Sequence, residues 1–328
     1  MAPVVALGVA LGSMLAITPA AGARGPSLAA HTHVDTVAGT NCRVFPADNI
    51  WHAKVNKLPI DSHSRQWVDH IGRTADLHPD FGPSYGAQPV PYGIPVTVVS
   101  GSHPRVHVRF LYSSESDHVR YPLGADTKIE GGSNAGGDRH AVIVDKRTCR
   151  LYETWLTRKK HGHWTAGSGA TWSLQSNALR HDHWTSADAA GLPILAGLLR
   201  WSEVKSAVVD HAIRFTAPHT SKRFLWPARH EAGDKASYAY PPMGARFRLK
   251  ASFSEHGYSR RARVVIQAMK TYGLILADNG SPWYFQGDAS RGWPSGLISE
   301  LKTIPARDFV AVNEAGLMVS PNSGQARS

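Results

Sequence analysis

Apolar runs in this chain are short and are cut repeatedly by turn residues: 30 glycines and 21 prolines punctuate 328 residues. Glycine and proline end regular elements because one lacks a Cβ and the other a backbone N–H. A chain broken this often folds as strands joined by turns. Ten Trp and ten Tyr add residues that suit pleated, half-buried surfaces. The expected fold is mainly β, a β-sandwich or jelly roll with a few short helices in the loops and near the C-terminus. No internal repeat at solenoid or propeller spacing occurs.

Residues 1–23 carry no charged side chain, and an apolar run over residues 4–17 leads to the small triplet Ala21-Gly22-Ala23. This is the pattern of a signal peptide cut near Ala23, although the usual Lys or Arg at its start is missing. The run is short of the roughly 20 residues of a membrane span, so no span is expected after signal removal. The layout that follows is an irregular N-terminal segment over residues 24–93, a β-rich domain over 94–313 and a disordered tail over 314–328. Export to the cell exterior or periplasm is oxidising, and the only two cysteines, Cys42 and Cys149, then predict one disulfide. A catalytic or metal-binding thiol is the weaker alternative, because neither has a C-x-x-C or C-x-x-H neighbour.

Within that layout a short helix is expected around residues 64–72, and a better one over 259–272, with Gly273 as its stop. Ser186 reads as the N-cap of a brief helical turn, and a further short helix falls near residues 297–302. Hairpins are expected for residues 94–112 around Gly101-Ser102-His103-Pro104, for 140–155 around Lys146-Arg147-Thr148, and for 274–286 around Asn279-Gly280. Further strands are read at 207–216, 223–226, 245–253 and 308–312. In the stretch 245–253, Arg246, Arg248 and Lys250 alternate with apolar residues, which predicts a basic sheet face.

The formal charge of +11, with 18 histidines in reserve, favours anionic partners such as acidic polysaccharides. No nucleic-acid motif accompanies the basic residues, and no motif specifies a cofactor or an oligomeric state. Histidine pairs such as His161/His163 and His181/His183 suggest no complete metal site, so the metal is left unknown.

Chemistry is best sought in the glycine-rich stretch Glu130-Gly131-Gly132-Ser133-Asn134-Ala135-Gly136-Gly137-Asp138-Arg139-His140. Flexible backbone beside ionisable groups suits a ligand site, with Glu130, Asp138 and Asp188 as acid, base or nucleophile and His140 as proton carrier. Arg139, Arg229, His230 and Asp278 are candidate ligand-binding groups, and Trp172, Trp184 and Trp283 candidate sugar platforms, because a sugar ring has one flat apolar face. Ion pairing within the loop, and burial of each tryptophan in the core, are the bland alternatives.

Several longer motifs occur together: Cys42-Arg43-Val44-Phe45-Pro46, Asn49 to Trp51, the loop ending Asp138-Arg139-His140, Ser176-Asn177-Ala178-Leu179-Arg180, Trp184-Thr185-Ser186-Ala187-Asp188, Trp226 to His230, Pro241-Pro242-Met243-Gly244, and Ala277-Asp278-Asn279-Gly280-Ser281 to Trp283-Tyr284. By these the chain resembles a group of exported bacterial proteins of unassigned function, over roughly residues 41–312. The resemblance implies a secreted bacterial setting and a single domain across that span, and carries no activity with it. The expected function is therefore argued from class-level chemistry: a secreted protein acting on carbohydrate, as glycoside hydrolase or polysaccharide lyase, or else a non-catalytic envelope or polysaccharide-binding protein. In the lyase form the basic strand would neutralise a uronate carboxylate.

Overall fold

Three sheets organise the computed structural model, which describes Met1, Pro3 and residues 36–84, 90–132 and 134–327. The expected signal peptide lies outside the described residues apart from Met1 and Pro3. From Thr36 onward the described chain is one unit. The largest sheet has six strands in the order His78–Asp80, Tyr284–Gln286, Ile213–Ala217, Leu274–Asn279, Arg246–Leu249 and Phe309–Val312. A four-stranded sheet runs Val96–Val99, Ala141–Asp145, Arg150–Trp155 and Ser168–Ser173, and a three-stranded one Val108–Phe110, His163–Ala166 and Arg158–Lys160.

The mainly β expectation is met in these thirteen strands and their few short helices. Four strand pairs run parallel, two of them in the largest sheet, so the pairing does not establish a sandwich or jelly roll. Parallel neighbours need a crossover between them. For Ile213–Ala217 and Leu274–Asn279 the crossover contains the helix Arg260–Thr271, which buries Ala262, Val265, Ile266 and Met269. Ser259 caps it by accepting the Ala262 N–H at 3.3 Å. Gly273, at φ +73°, ends it where a Cβ would meet the Phe247 carbonyl oxygen at 2.2 Å. The central strands are apolar runs buried on both faces, as strands covered on both sides must be.

The helix Ser64–Gly72, the hairpin of Ala141–Asp145 with Arg150–Trp155, the helix Ser295–Leu301 and the strand Phe309–Val312 fall where the residue pattern puts them. Two expected hairpins do not form. Val96–Val99 pairs parallel with Ala141–Asp145, and Val108–Phe110 leaves for the small sheet. Leu274–Asn279 and Tyr284–Gln286 flank Ile213–Ala217 on opposite sides, so Asn279-Gly280 leads across that strand and not back along it. Residues 223–226 contribute only a single bridge, Phe224 to Met243. The helical turn expected after Ser186 is absent, since the Ser186 hydroxyl instead accepts the Asp188 N–H in a tight turn. The basic face is also revised. Arg246 is buried and donates to the carbonyls of Tyr272, Ile50 and Ala53, beside Glu314. The tail expected to be disordered packs on the body: Ile50 donates to the Gly324 carbonyl and Arg229 to that of Pro321.

Cys42 and Cys149 form the expected disulfide across 107 residues, tying the N-terminal segment to the turn that joins two strands of the four-stranded sheet. Closing so long a loop removes unfolded-chain entropy worth roughly 4–5 kcal/mol. Reduction, or Cys42→Ser with Cys149→Ser, is therefore expected to lower the urea midpoint by a corresponding amount, and an unchanged midpoint would show that the bridge is not needed for stability. Among the described residues no helix is long and apolar enough to cross a membrane.

Candidate active site

The glycine-rich loop is closed at its neck by its own two ends. Glu130 N–H donates to the His140 carbonyl at 3.0 Å, and the Glu130 carboxylate accepts from His140 Nδ1 at 2.7 Å and from the His140 backbone N–H at 3.2 Å. Arg139 pins the loop from inside, donating to the carbonyls of Gly132, Ala135 and Thr157. Buried and bonded to backbone, Arg139 clamps the loop, and with Glu130 and Asp138 it also lines a cleft of about 770 Å³. The clamp delivers Asp138 to the surface, where its carboxylate accepts the Trp155 indole N–H at 3.1 Å.

Beside Trp155 lies a cleft of about 410 Å³ lined by Asp138, Asp188, His230 and Asp278, with Tyr112, Glu115 and Ser168 among its other walls. Four residues expected from separate parts of the sequence are thus brought to one place, by loops and strand ends of the two larger sheets. Asp188 is fully buried and receives a bidentate pair of hydrogen bonds from Arg214, at 2.9 and 2.7 Å. The same guanidinium reaches Asp278 at 3.6 Å. Asp278 is the penultimate residue of the strand Leu274–Asn279, just past a register shift that follows Leu276, with about a quarter of its side chain exposed. His230 donates through Nδ1 to the Ala189 carbonyl at 2.8 Å, leaving Nε2 toward Glu115 at 3.8 Å.

The electrostatics divide these groups. Burial and the neighbouring Asp188 charge push Asp278 up to about 7, against the pull of Arg214 and His140. Burial raises Glu153 to about 7 as well, although it accepts the N–H groups of Ile194 and Leu195, each at 2.9 Å. For His140, burial favours the neutral ring, but the Glu130 carboxylate outweighs it and raises the imidazole to about 9. Glu130 in turn is lowered, since His140 overcomes the effect of burial. Arg214 is raised because Asp188, Asp278 and Glu130 together exceed its desolvation. A protonated His140 and an Arg214 therefore stand behind a cleft whose partly exposed floor acid holds its proton to neutral pH.

The other expected residues lie elsewhere. Trp283 is wholly buried, stacked on Phe215 at 5.2 Å between centroids, and is core, not platform. Trp172 and Trp184 line a separate cleft of about 460 Å³, and both rings lie close to the Arg180 guanidinium, which pairs with Asp117. Arg229 is buried and holds the tail through Pro321 and Asn322. Glu130 is hydrogen-bonded to His140 and does not line the acid cleft. Among the described residues no group of three His, Cys, Asp or Glu side chains is placed to hold a metal ion.

Sequence reasoning missed Arg214, Glu153, Trp155 and Tyr112. For the first two a signal exists: Arg214 is the one charge in the strand Ile213–Ala217 and Glu153 the one acid in Arg150–Trp155, each beside apolar or aromatic residues, and a buried charge needs a partner. Trp155 and Tyr112 carry no such signal, because their role comes from where strand ends meet. Comparison with known protein families, characterised proteins and solved structures finds no match to this chain.

Proposed function

We propose that this chain is an exported carbohydrate-active enzyme that hydrolyses a glycosidic bond in the cleft at Asp138 and Asp278. The observation that carries the reading is the placing of two carboxyl groups in contrasting surroundings within one aromatic-walled cleft. Glycoside hydrolysis needs such a pair, one protonated and one not. Asp278, held protonated to about 7, gives its proton to the glycosidic oxygen as the bond to the anomeric carbon breaks. The carboxylate it leaves faces Arg214, which stabilises the new charge. Asp138, exposed and oriented by the Trp155 N–H, attacks the anomeric carbon or takes a proton from the attacking water. Trp155 and Tyr112, with ring centroids 6.2 Å apart and planes tilted by 36°, each offer an aromatic face to a sugar ring.

A polysaccharide-binding protein without catalysis has no use for a cleft carboxyl group that burial raises to about 7. The lyase variant loses the support of Arg246, which is internal. The disulfide suits the proposed export. The test is product release from a panel of neutral and acidic polysaccharides. New reducing ends without unsaturated uronides are expected from at least one polymer. Unsaturated uronides would mean a lyase, and retention on a polymer without turnover would mean a binder.

A further inference from the structure

The smallest sheet has two unlike faces. Val108, Trp164 and Ala166 are buried beneath it, with Tyr121, Tyr152 and Ile143, in the second hydrophobic cluster. Strand pairing puts Arg109, Thr165 and Arg158 in one row of the opposite face, and sets Lys160 against His163 in the next. Arg109, Lys160 and His163 are exposed and Arg158 half-buried. Among the described residues Arg109, Arg158 and Lys160 have no carboxylate partner. Like charges gathered on one sheet face repel and destabilise it, so this face is complementary to a line of negative charge.

The face also leads into the cleft. Sheet-like pairing continues past the strand ends, with Leu111 donating to Ala166, Tyr112 to Gly167 and Gly167 to Trp155. Tyr112 and Trp155, which wall the acid site, each stand three residues along the chain from a cation of the row, across a bend at Leu111-Tyr112 in one case and at Leu156, whose φ is +52°, in the other. The cationic row and the aromatic wall of the cleft are thereby neighbours along both chain segments. The overall charge of +11 acts in the same sense at longer range.

We propose that the substrate is an acidic polysaccharide, whose negatively charged groups rest on Arg109, Arg158 and Lys160 where the polymer runs out of the catalytic cleft. This rests on the carbohydrate reading above and names its substrate class. Guanidinium groups bind planar carboxylates through paired N–H donors, which makes the two arginines the principal contacts.

The test measures retention of the full chain on beads carrying polygalacturonate, alginate or hyaluronan, with dextran and methyl-esterified polygalacturonate as uncharged references. Binding to at least one acidic polymer is expected to exceed binding to both references. The triple variant Arg109→Ser, Arg158→Ser, Lys160→Ser should weaken it on the order of tenfold, as loss of three exposed ion contacts implies. Raising salt from about 0.1 to about 1 M, where the screening length falls from about 10 to about 3 Å, should weaken wild type more than the triple variant. Lys160→Gln alone, on the exposed edge, gives a smaller shift in the same direction if the triple variant does not fold. Equal retention of wild type and variants, equal binding to neutral polymers, or equal displacement by duplex DNA would overturn the inference. Weak retention on every polymer, acidic and neutral, together with no cleavage of any, would instead remove the carbohydrate reading itself.

Discussion

Asp278→Asn lowers kcat on the cleaved polysaccharide by about 10²- to 10⁴-fold while leaving the fold intact, the range expected on removing a general acid. The side chain keeps its shape while its acidic hydroxyl becomes an amide NH2 that cannot act as an acid, so the urea midpoint separates a catalytic effect from unfolding. The direction of the pH dependence is fixed by the same group. In the wild type, activity that requires a protonated Asp278 falls as pH rises through about 7, and the variant's residual rate lacks that limb. A variant with wild-type kcat, or with the alkaline limb preserved, would remove Asp278 from the mechanism.

Stability moves the same way with pH. Asp278, Glu153 and His140 all titrate higher in the folded chain than their ordinary values of 3.8, 4.5 and 6.5. A group raised by folding contributes stability that is present in full below its unfolded value and is lost as pH rises through its folded value. These three contributions therefore fade on passing from mildly acid conditions through about 7 and then about 9. Glu130 acts in the opposite sense: lowered by folding, it contributes above about 4.5 and loses that contribution as pH falls. Asn at position 278 cannot ionise, so the variant is less sensitive to alkaline pH than the wild type, and a gain in stability above pH 7 accompanies the loss of activity.

Local pattern makes some of this architecture legible in the sequence. Ser259 and Gly273 bracket the helix that they predict, and turn residues between apolar runs locate the hairpin carrying Cys149, because each depends on neighbours along the chain. Asp138, Asp188, His230 and Asp278 are recognisable as polar groups in unusual settings, and the fold gathers them in one cleft. Pairing between distant strands is not legible in this way. Asn279-Gly280 has the composition of a hairpin turn, but Ile213–Ala217 lies between the strands on either side of it, a competition set by long-range burial. Trp283 looks like a platform and Trp155 does not, yet the first fills the core and the second walls the cleft. Aromatic residues are alike in sequence, and only their partners across the sheets distinguish them. The tail of polar and small residues reads as disordered, since its anchor, Arg229, lies some 90 residues upstream.

Arg214→Met is expected to cost about 3–5 kcal/mol at neutral pH, more than the loss of any surface ion pair, because it leaves the Asp188 carboxylate buried with neither its counter-ion nor two of its hydrogen bonds. The pair itself contributes little net stability, since both ions are desolvated, so the penalty belongs to the uncompensated charge. Two consequences distinguish this from a simple packing defect. Adding Asp188→Asn to Arg214→Met should recover a large part of the loss, whereas independent packing defects would add. The single variant should also lose less at pH 5 than at pH 8, because an unpaired buried carboxyl takes up a proton in place of its lost partner. Urea unfolding at the two pH values reads both effects. A cost under about 1 kcal/mol at pH 8, or one that the second substitution does not relieve, would show that Asp188 does not depend on Arg214 for its charge. In that case the proposed stabilisation of a deprotonated Asp278 by the same guanidinium would lose its basis too.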